Sequence, residues 1–199
     1  MQYKELFKRT YRLLRQPRQE WQVIAGEEKS SNKVINDFAL PMIGLCALSA
    51  FLGQLFQSSG LEKALIAVII SLGKNFGAIY ITFFILQESA KFWGLKRNNT
   101  AFMQLAGYGL AISFVVDIVY KLIPELFFLP VLELYIIYFI WEGVEALISI
   151  NEKKRVAFVL FVALLLLVLS LGIETILSKS IVPSSEIVAA QIKDIQALV

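Results

Sequence analysis

Three carboxylates occur inside a strongly apolar stretch of this chain, where charge is costly. Glu133, Glu142 and Glu145 lie in LELYIIYFIWEGVEALISINEKKR, residues 132–155, among leucines, isoleucines and aromatic residues. Carboxylates in such a setting could act as general acid and base, carry a proton or cation, or neutralise a buried cation. Which of these applies depends on where a helix places each acid.

A helical projection at about 100° per residue separates these acids into two groups. Glu142 and Glu145 share one sector with Tyr135 and Tyr138, whereas Glu133 projects almost opposite Glu142. Glu145 lies nearest the following basic loop, so we expect an ion pair with that loop or with lipid headgroups. Glu142 lies deeper, with Tyr138 one turn away as a hydrogen-bond donor.

A basic residue is placed even less favourably than these acids. Lys74 lies near the middle of the second apolar segment, in SLGKNFGAIY. A lysine at the centre of a membrane helix costs on the order of 3 kcal/mol, so we expect a partner carboxylate or a water-filled cavity. Counting the depth of each residue along its segment predicts that Lys74 pairs with Asp117 or Glu133. Glu142 is a more distant possible partner.

Two interpretations of this intramembrane polar cluster remain open. In the first, the charges form a buried salt bridge that fixes the register of the helices. In the second, they line a polar cavity that binds an ion, a proton or a lipid headgroup.

Composition indicates that the chain lies in a membrane and excludes several common kinds of catalytic and metal site. Of 199 residues, 57% are hydrophobic and 18% charged, which is too apolar for an ordinary soluble domain. Histidine is absent and Cys46 is the only cysteine, which excludes internal disulfides, Cys/His zinc sites and Ser-His or Cys-His pairs. Motifs for phosphate loops, zinc proteases and serine hydrolases are also missing. We therefore predict no enzyme activity, no cofactor, no metal site and no nucleic-acid partner.

Five apolar segments are each long enough to cross a bilayer as a helix, which takes about 20 residues. They cover residues 37–57, 64–87, 101–121, 126–149 and 156–178. The sequence thus predicts an all-α polytopic bundle of five transmembrane helices. Its parts are an N-terminal segment (1–35), a transmembrane domain (36–179) and a C-terminal tail (180–199).

The distribution of lysine and arginine predicts the orientation of this bundle. Basic residues concentrate before the first segment, in the second loop and in the fourth loop, which lie on one side because the chain changes side at each span. An odd number of spans puts the two termini on opposite sides. By the positive-inside rule that side is the cytoplasm, so the N-terminus is cytoplasmic and the C-terminus lies outside.

Both flanking segments are predicted to form amphipathic helices. In YKELFKRTYRLLRQ, apolar residues share one face, and Pro17 should end the helix. We expect this helix to lie on anionic lipids, with Trp21 also at the membrane surface; the alternative is a basic helix packed on its own bundle. Its basic face contains Lys4, Lys8, Arg12 and Arg15. At the other end, Pro183 resembles a helix start before an apolar stripe at Val188, Ile192, Ile195 and Val199, which could lie on the outer surface or join a partner helix.

Glycines within the apolar segments predict where helices approach closely. Gly73 and Gly77 form a Gly-x-x-x-Gly pair in the second segment, and Gly107 and Gly109 lie in the third.

The order of several motifs resembles the Yip family of five-span membrane proteins. LLRQPRQEWQVIAGEEKSSNKV followed by FALPMIGLCALSAFLG is similar to the bacterial opening of that family, through Pro17, Trp21, Ile24, Glu27 and Pro41. GYGLAISFVV resembles its third-span Gly-Tyr segment, and LYIIYFIWEGVEALISINEKKR its Leu-Tyr-x-x-Tyr stretch. The family often carries a proline shortly after the Gly-Tyr pair, where Ile112 and Ser113 stand here.

The resemblance implies a bacterial protein of the cytoplasmic membrane, without the longer N-terminal region of eukaryotic members, which bind Rab-type GTPases. From it we expect a non-enzymatic protein that organises membrane or scaffolds partners, including a homo-oligomer or another membrane protein. The competing hypothesis is a cation- or proton-linked transporter or channel that uses Lys74, Asp117, Glu133 and Glu142.

Overall fold

The fold is built from helices that follow the apolar segments of the sequence. The computed structural model describes the backbone of residues 3–27, 30–58 and 60–196, and side chains in these ranges up to residue 181. It contains α1 (Tyr3–Arg15), α2 (Pro17–Gly26), α3 (Ser31–Val34), α4 (Leu40–Phe56), α5 (Leu61–Trp93), α6 (Asn99–Gly109), α7 (Ala111–Leu122), α8 (Ile136–Leu147) and α9 (Glu152–Gln196). A π-helical turn (Ile35–Ala39) joins α3 to α4, and a 3-10 helix (Leu129–Tyr135) precedes α8.

Within these described residues, four helical stretches are long and apolar enough to cross a membrane. They are Ser31–Phe56, Leu61–Trp93, Asn99–Leu122 and Glu152–Ile181, of 26, 33, 24 and 30 residues. Large apolar side chains such as Leu48, Phe84, Leu164 and Leu171 are more than half exposed on them, as expected for helices that face lipid. The predicted all-α membrane bundle is confirmed.

The third stretch is the centre of the bundle. In its most apolar window 83% of the residues are buried, compared with 33% in the last stretch. It is also interrupted, because α6 ends at Gly109 and α7 begins at Ala111, with Leu110 between them outside the α-helix. The interruption occurs without a proline, directly after a glycine, which is a weak helix former.

The predicted fourth segment is not one continuous helix. Residues 124–128 are mostly turn, Leu129–Tyr135 is a 3-10 helix, and the α-helix α8 has only 12 residues. Pro124 and Pro130 lack the backbone N–H that an interior helical position requires, which accounts for the late start of α8. The number of five spans therefore stays a prediction.

The last helix runs past the predicted end of its span. The prediction that a separate C-terminal helix begins at Pro183 is wrong, because α9 continues through this position to Gln196. A proline removes one helical hydrogen bond, and α9 continues despite that loss. The stripe at Val188, Ile192, Ile195 and Val199 lies outside the side chains that the structure describes.

The N-terminal helices fold back onto the bundle. The predicted helix over residues 3–15 and its end before Pro17 are confirmed, since α1 covers Tyr3–Arg15. Its apolar face was expected to contact lipid, but Leu6 and Leu13 are fully buried against the protein instead. Helix α1 contacts α2 and α7, and α2 lies along α8. One face of α1 is therefore packed on its own bundle, and contact of its outward face with anionic lipids stays a prediction.

Candidate functional site

A group of four charged residues joins three of the long helices. Lys74 comes from α5, Asp117 and Lys121 come from α7, and Glu174 comes from α9. We call these four residues the lysine cluster. Asp117 and Lys121 are one turn apart on α7, so both face the same neighbours.

Each lysine of this cluster bridges both carboxylates. The Lys74 ammonium donates hydrogen bonds to Asp117 Oδ1 at 2.7 Å and to Glu174 Oε2 at 3.0 Å. The Lys121 ammonium donates to Glu174 Oε1 at 2.8 Å and lies 3.9 Å from Asp117 Oδ1. Two cations and two anions thus form a neutral ring, which is how a membrane bundle can tolerate charge.

The lysine cluster lies toward one end of the bundle. Lys121 is one residue before the end of α7, and Lys74 lies 13 residues after the start of α5. Lys74 and Asp117 are more than nine-tenths buried, whereas the Glu174 side chain is 37% exposed. The second oxygen of Asp117 is buried and makes no hydrogen bond within the described part of the chain. The ring is therefore closed toward the protein and open at Glu174.

Of the two partners expected for Lys74, the structure pairs it with Asp117. Glu133 lies beside the ring without joining it, and its carboxylate accepts a hydrogen bond from the Ser113 hydroxyl at 3.4 Å. Glu174 was missed by sequence reasoning. Its signal was the only charge within the last apolar segment, residues 156–178.

A second group of charged residues holds the N-terminal helices on the bundle. It consists of Arg9, Arg12, Glu20, Glu27 and Tyr108, which we call the arginine cluster. Arg9 Nη1 donates to Glu27 Oε2 at 2.8 Å and to the Tyr108 hydroxyl at 3.0 Å, and Nη2 also pairs with Glu27. Arg12 donates from Nε and Nη2 to the two oxygens of Glu20 at 2.5 and 3.0 Å.

Arg9 is the centre of the arginine cluster. It is 6% exposed, its guanidinium lies 5.6 Å from the centroid of the Tyr108 ring, and Nε is 3.4 Å from Glu20. Burial disfavours its charge, but the hydrogen bonds to Glu27 and Tyr108 and the negative charge of Glu27 outweigh burial. The pKa of Arg9 therefore lies above its ordinary value, and this cation is permanent.

Trp21 supports the same contact between α2 and the bundle. Its predicted place at the membrane surface is wrong, because the side chain is fully buried. The indole packs on Tyr108 and Phe139, and a Cβ at Gly143 would come within 2.9 Å of it. The missing side chain at Gly143 leaves the space that the indole fills, and burial of a tryptophan is strongly favourable.

Glu142 and Glu145 lie apart from the lysine cluster, unlike Glu133. Glu142 lines a shallow groove with Tyr138 and lies 3.9 Å from Arg18 of α2. Glu145 is exposed. The rings of Tyr135 and Tyr138 contact each other at 5.4 Å between centroids. The structure therefore separates Glu142 from Lys74 and Asp117.

The four glycines expected at helix contacts all lie where a side chain would crowd a neighbour. A Cβ at Gly73 or Gly77 would come within 2.9 Å of Leu177 or 3.1 Å of Ile173 on α9. A Cβ at Gly107 would meet Val34 at 3.0 Å, and one at Gly109 would meet Ile140 at 3.0 Å. These glycines bring α5 close to α9, and α6 close to α3 and α8.

Comparison with known proteins places this architecture in a family. The family profile described as the Yip1 domain matches residues 11–173, which include α2, the first three long apolar stretches, α9 up to Ile173 and every residue of the lysine cluster except Glu174. No curated protein and no solved structure matches the chain. With four long apolar helices in the part of the chain that the structure describes and a family match over most of its length, the chain is an integral membrane protein and belongs to the Yip family.

Proposed function

We propose that this Yip family chain is a non-enzymatic protein of a bacterial cytoplasmic membrane that organises membrane and scaffolds partners through its cytoplasmic face. In this proposal the N-terminus is cytoplasmic, the C-terminus lies outside, and the chain crosses the membrane five times. The basic loops support the orientation. The predicted fourth segment, whose crossing brings the number of spans to five, is long enough to cross. Its seven 3-10 residues and the 12 residues of α8 together extend about 32 Å.

The outward face of α1 is the observation that carries this proposal. Tyr3, Phe7 and Tyr11 occur at four-residue spacing and are 75%, 59% and 56% exposed. Exposed aromatic rings beside cations are the composition that binds the headgroup region of an anionic leaflet. The flanking cations are Lys4, Lys8 and Arg15.

The inward face of α1 gives this surface a fixed position. Leu6 and Leu13 are buried against the bundle, and Arg9 links α1 to Glu27 and to Tyr108 of α6. Helix α1 is therefore held by its own protein on one side while its aromatic residues remain available on the other.

The carboxylates held in ion pairs support a non-enzymatic role. Asp117 and Glu174 are bound by lysines, and Glu20 and Glu27 are bound by arginines. A carboxylate held in this way is a poor general acid or base, because its partner stabilises the ionised form.

Spin labelling of the full chain in vesicles tests the proposal. With Cys46→Ser as background, we expect a label at Phe7→Cys to be reached by oxygen rather than by an aqueous nickel complex when the vesicles contain phosphatidylglycerol. Adding Lys4→Gln and Lys8→Gln should return the label to water, whereas Lys63→Gln, the matched control in another loop, should not. A label that stays aqueous in anionic vesicles would contradict the proposal.

A cation- or proton-linked transporter is the second candidate function. The Asp117 oxygen that has no hydrogen bond among the described residues, close to Glu133 and to the partly exposed Glu174, favours it. Glu142 would have no part in such a path, because it pairs with Arg18 instead. Cation or proton flux in proteoliposomes that disappears with Asp117→Asn but persists with Glu142→Gln would support transport over the scaffold.

A further inference from the structure

A cleft lies between two loops at the end of the bundle that we propose is cytoplasmic. It has a volume of about 810 Å³ and is formed by residues 94–99, which join α5 to α6, and by residues 147–149 at the end of α8. We call it the loop cleft. Its volume is within the range of sites that hold small molecules.

The loop cleft has an apolar floor and a polar rim. Phe102 and Ile148 on the floor are 1% and 9% exposed. Lys96, Arg97 and Ser149 line the rim and are exposed. Such a division suits a ligand with a charged head and an apolar continuation, which is the chemistry of a phospholipid.

Cations dominate the rim. Arg97 holds Glu88 through two contacts of 2.8 and 2.9 Å, so that acid is already neutralised. Lys96 has no ion-pair partner among the described residues. The charge left over at the rim is positive and favours an anionic ligand.

The depth of the loop cleft matches that of lipid headgroups. The spanning stretch Leu61–Trp93 ends one residue before the cleft, and Asn99–Leu122 begins in it. Lipid acyl chains would thus meet the apolar surfaces of the helices while the headgroup reaches the rim.

From the cleft, its charge and its depth we infer that the loop cleft binds the phosphate-bearing headgroup of an anionic phospholipid from the cytoplasmic leaflet. Lys96 pairs with the phosphate, Ser149 donates to it, and Phe102 and Ile148 contact the glycerol and the first acyl carbons. This site is separate from the surface of α1.

Electron spin resonance of spin-labelled lipids in proteoliposomes of the full chain tests this inference. The lipid immobilised by the unmodified chain should favour phosphatidylglycerol over phosphatidylcholine about fivefold more strongly than the lipid immobilised by the Lys96→Gln variant. One cation near a membrane surface contributes about that factor. Ser149→Phe, which fills the cleft without changing charge, should lose selectivity to a similar extent. Lys91→Gln is the matched control, because it removes a cation from the end of α5 outside the cleft.

Three results would overturn the inference. Equal losses in Lys91→Gln and Lys96→Gln would show diffuse attraction, and unchanged selectivity in Ser149→Phe would show that the cleft is not occupied. Inorganic phosphate that binds the detergent-solubilised chain through Lys96, without any lipid selectivity in vesicles, would identify a soluble ligand. The label at Phe7→Cys in the same vesicles reports on α1 independently, so failure here and failure of the proposed function are distinguishable.

Discussion

In the arginine cluster one side chain reaches three partners, whereas in the lysine cluster two side chains share two carboxylates. Arg9 contacts Glu20, Glu27 and Tyr108 through the planar fork of its guanidinium. Lys74 and Lys121 act as compact charges between Asp117 and Glu174. The first arrangement orients a peripheral helix on a span, and the second ties three spans together. The choice of cation thus follows the geometry that each place requires.

The largest expected effect is loss of the central cation of the lysine cluster. Lys74→Met leaves Asp117 buried with only Lys121 at 3.9 Å, which should cost about 3 to 5 kcal/mol. For a chain of this size that is a fall on the order of 10 °C in the unfolding midpoint, measured in detergent by tryptophan fluorescence. Adding Asp117→Asn should recover part of the loss, because Lys121 and Glu174 then remain as a neutral pair. Strictly additive losses would show that the two residues do not interact.

Exchange of one cation for the other distinguishes the two clusters directly. Arg9→Lys keeps the charge but cannot reach Glu27 and Tyr108 together, so we expect a loss of about 3 kcal/mol. The opposite exchange at the more exposed position of the lysine cluster, Lys121→Arg, should be much milder. Thermal unfolding of both variants tests this, and equal losses would mean that geometry does not decide the choice of cation.

A side chain at Gly53 should clash with the backbone of α7 beside the lysine cluster. A Cβ there would overlap the Lys121 carbonyl oxygen and approach its carbon to 2.9 Å. Because both atoms are backbone, Gly53→Ala should displace α4 from α7 and cost about 2 kcal/mol. Gly44→Ala is the matched control on the same helix, with nothing within 4 Å, and it should be neutral or slightly stabilising. Equal unfolding midpoints for the two variants would contradict the contact.

The smallest effect is expected at the edge of the arginine cluster. Arg18 is 70% exposed and lies 3.9 Å from Glu142, so the ion pair is screened and weak. Arg18→Ala should lower stability by less than about 0.5 kcal/mol. A loss comparable to that of Arg9→Lys would show that Glu142 belongs to the arginine cluster.

The long helices and one partner of Lys74 could be predicted because they depend on hydropathy and on position along the sequence. Hydropathy located the long helices, and counting residues from the ends of each segment placed Asp117 near Lys74. The same count could have included Glu174, which is the lone acid of the last segment.

The arginine cluster could not be predicted in the same way. The apolar residues of α1 have the same spacing whether they contact lipid or protein. The positions of Leu6 and Leu13 in the sequence therefore did not show which of the two they contact. The turn at Pro17 that brings Glu20 and Glu27 back to Arg9 is a tertiary property. Burial of Trp21 likewise depends on Gly143, more than one hundred residues away in the sequence.

The unequal lengths of the spanning stretches have a consequence for the surrounding bilayer. Stretches of 24 to 33 residues extend about 36 to 50 Å, while a typical hydrocarbon core is about 30 Å thick. Helices tied together by the lysine cluster cannot adjust to this mismatch one at a time, so tilt of α5 and local deformation of lipid must share it. Each ångström of mismatch costs a fraction of a kcal/mol. Bilayer thickness therefore affects the conformation of the bundle, and membranes of different thickness will favour different tilts of its helices.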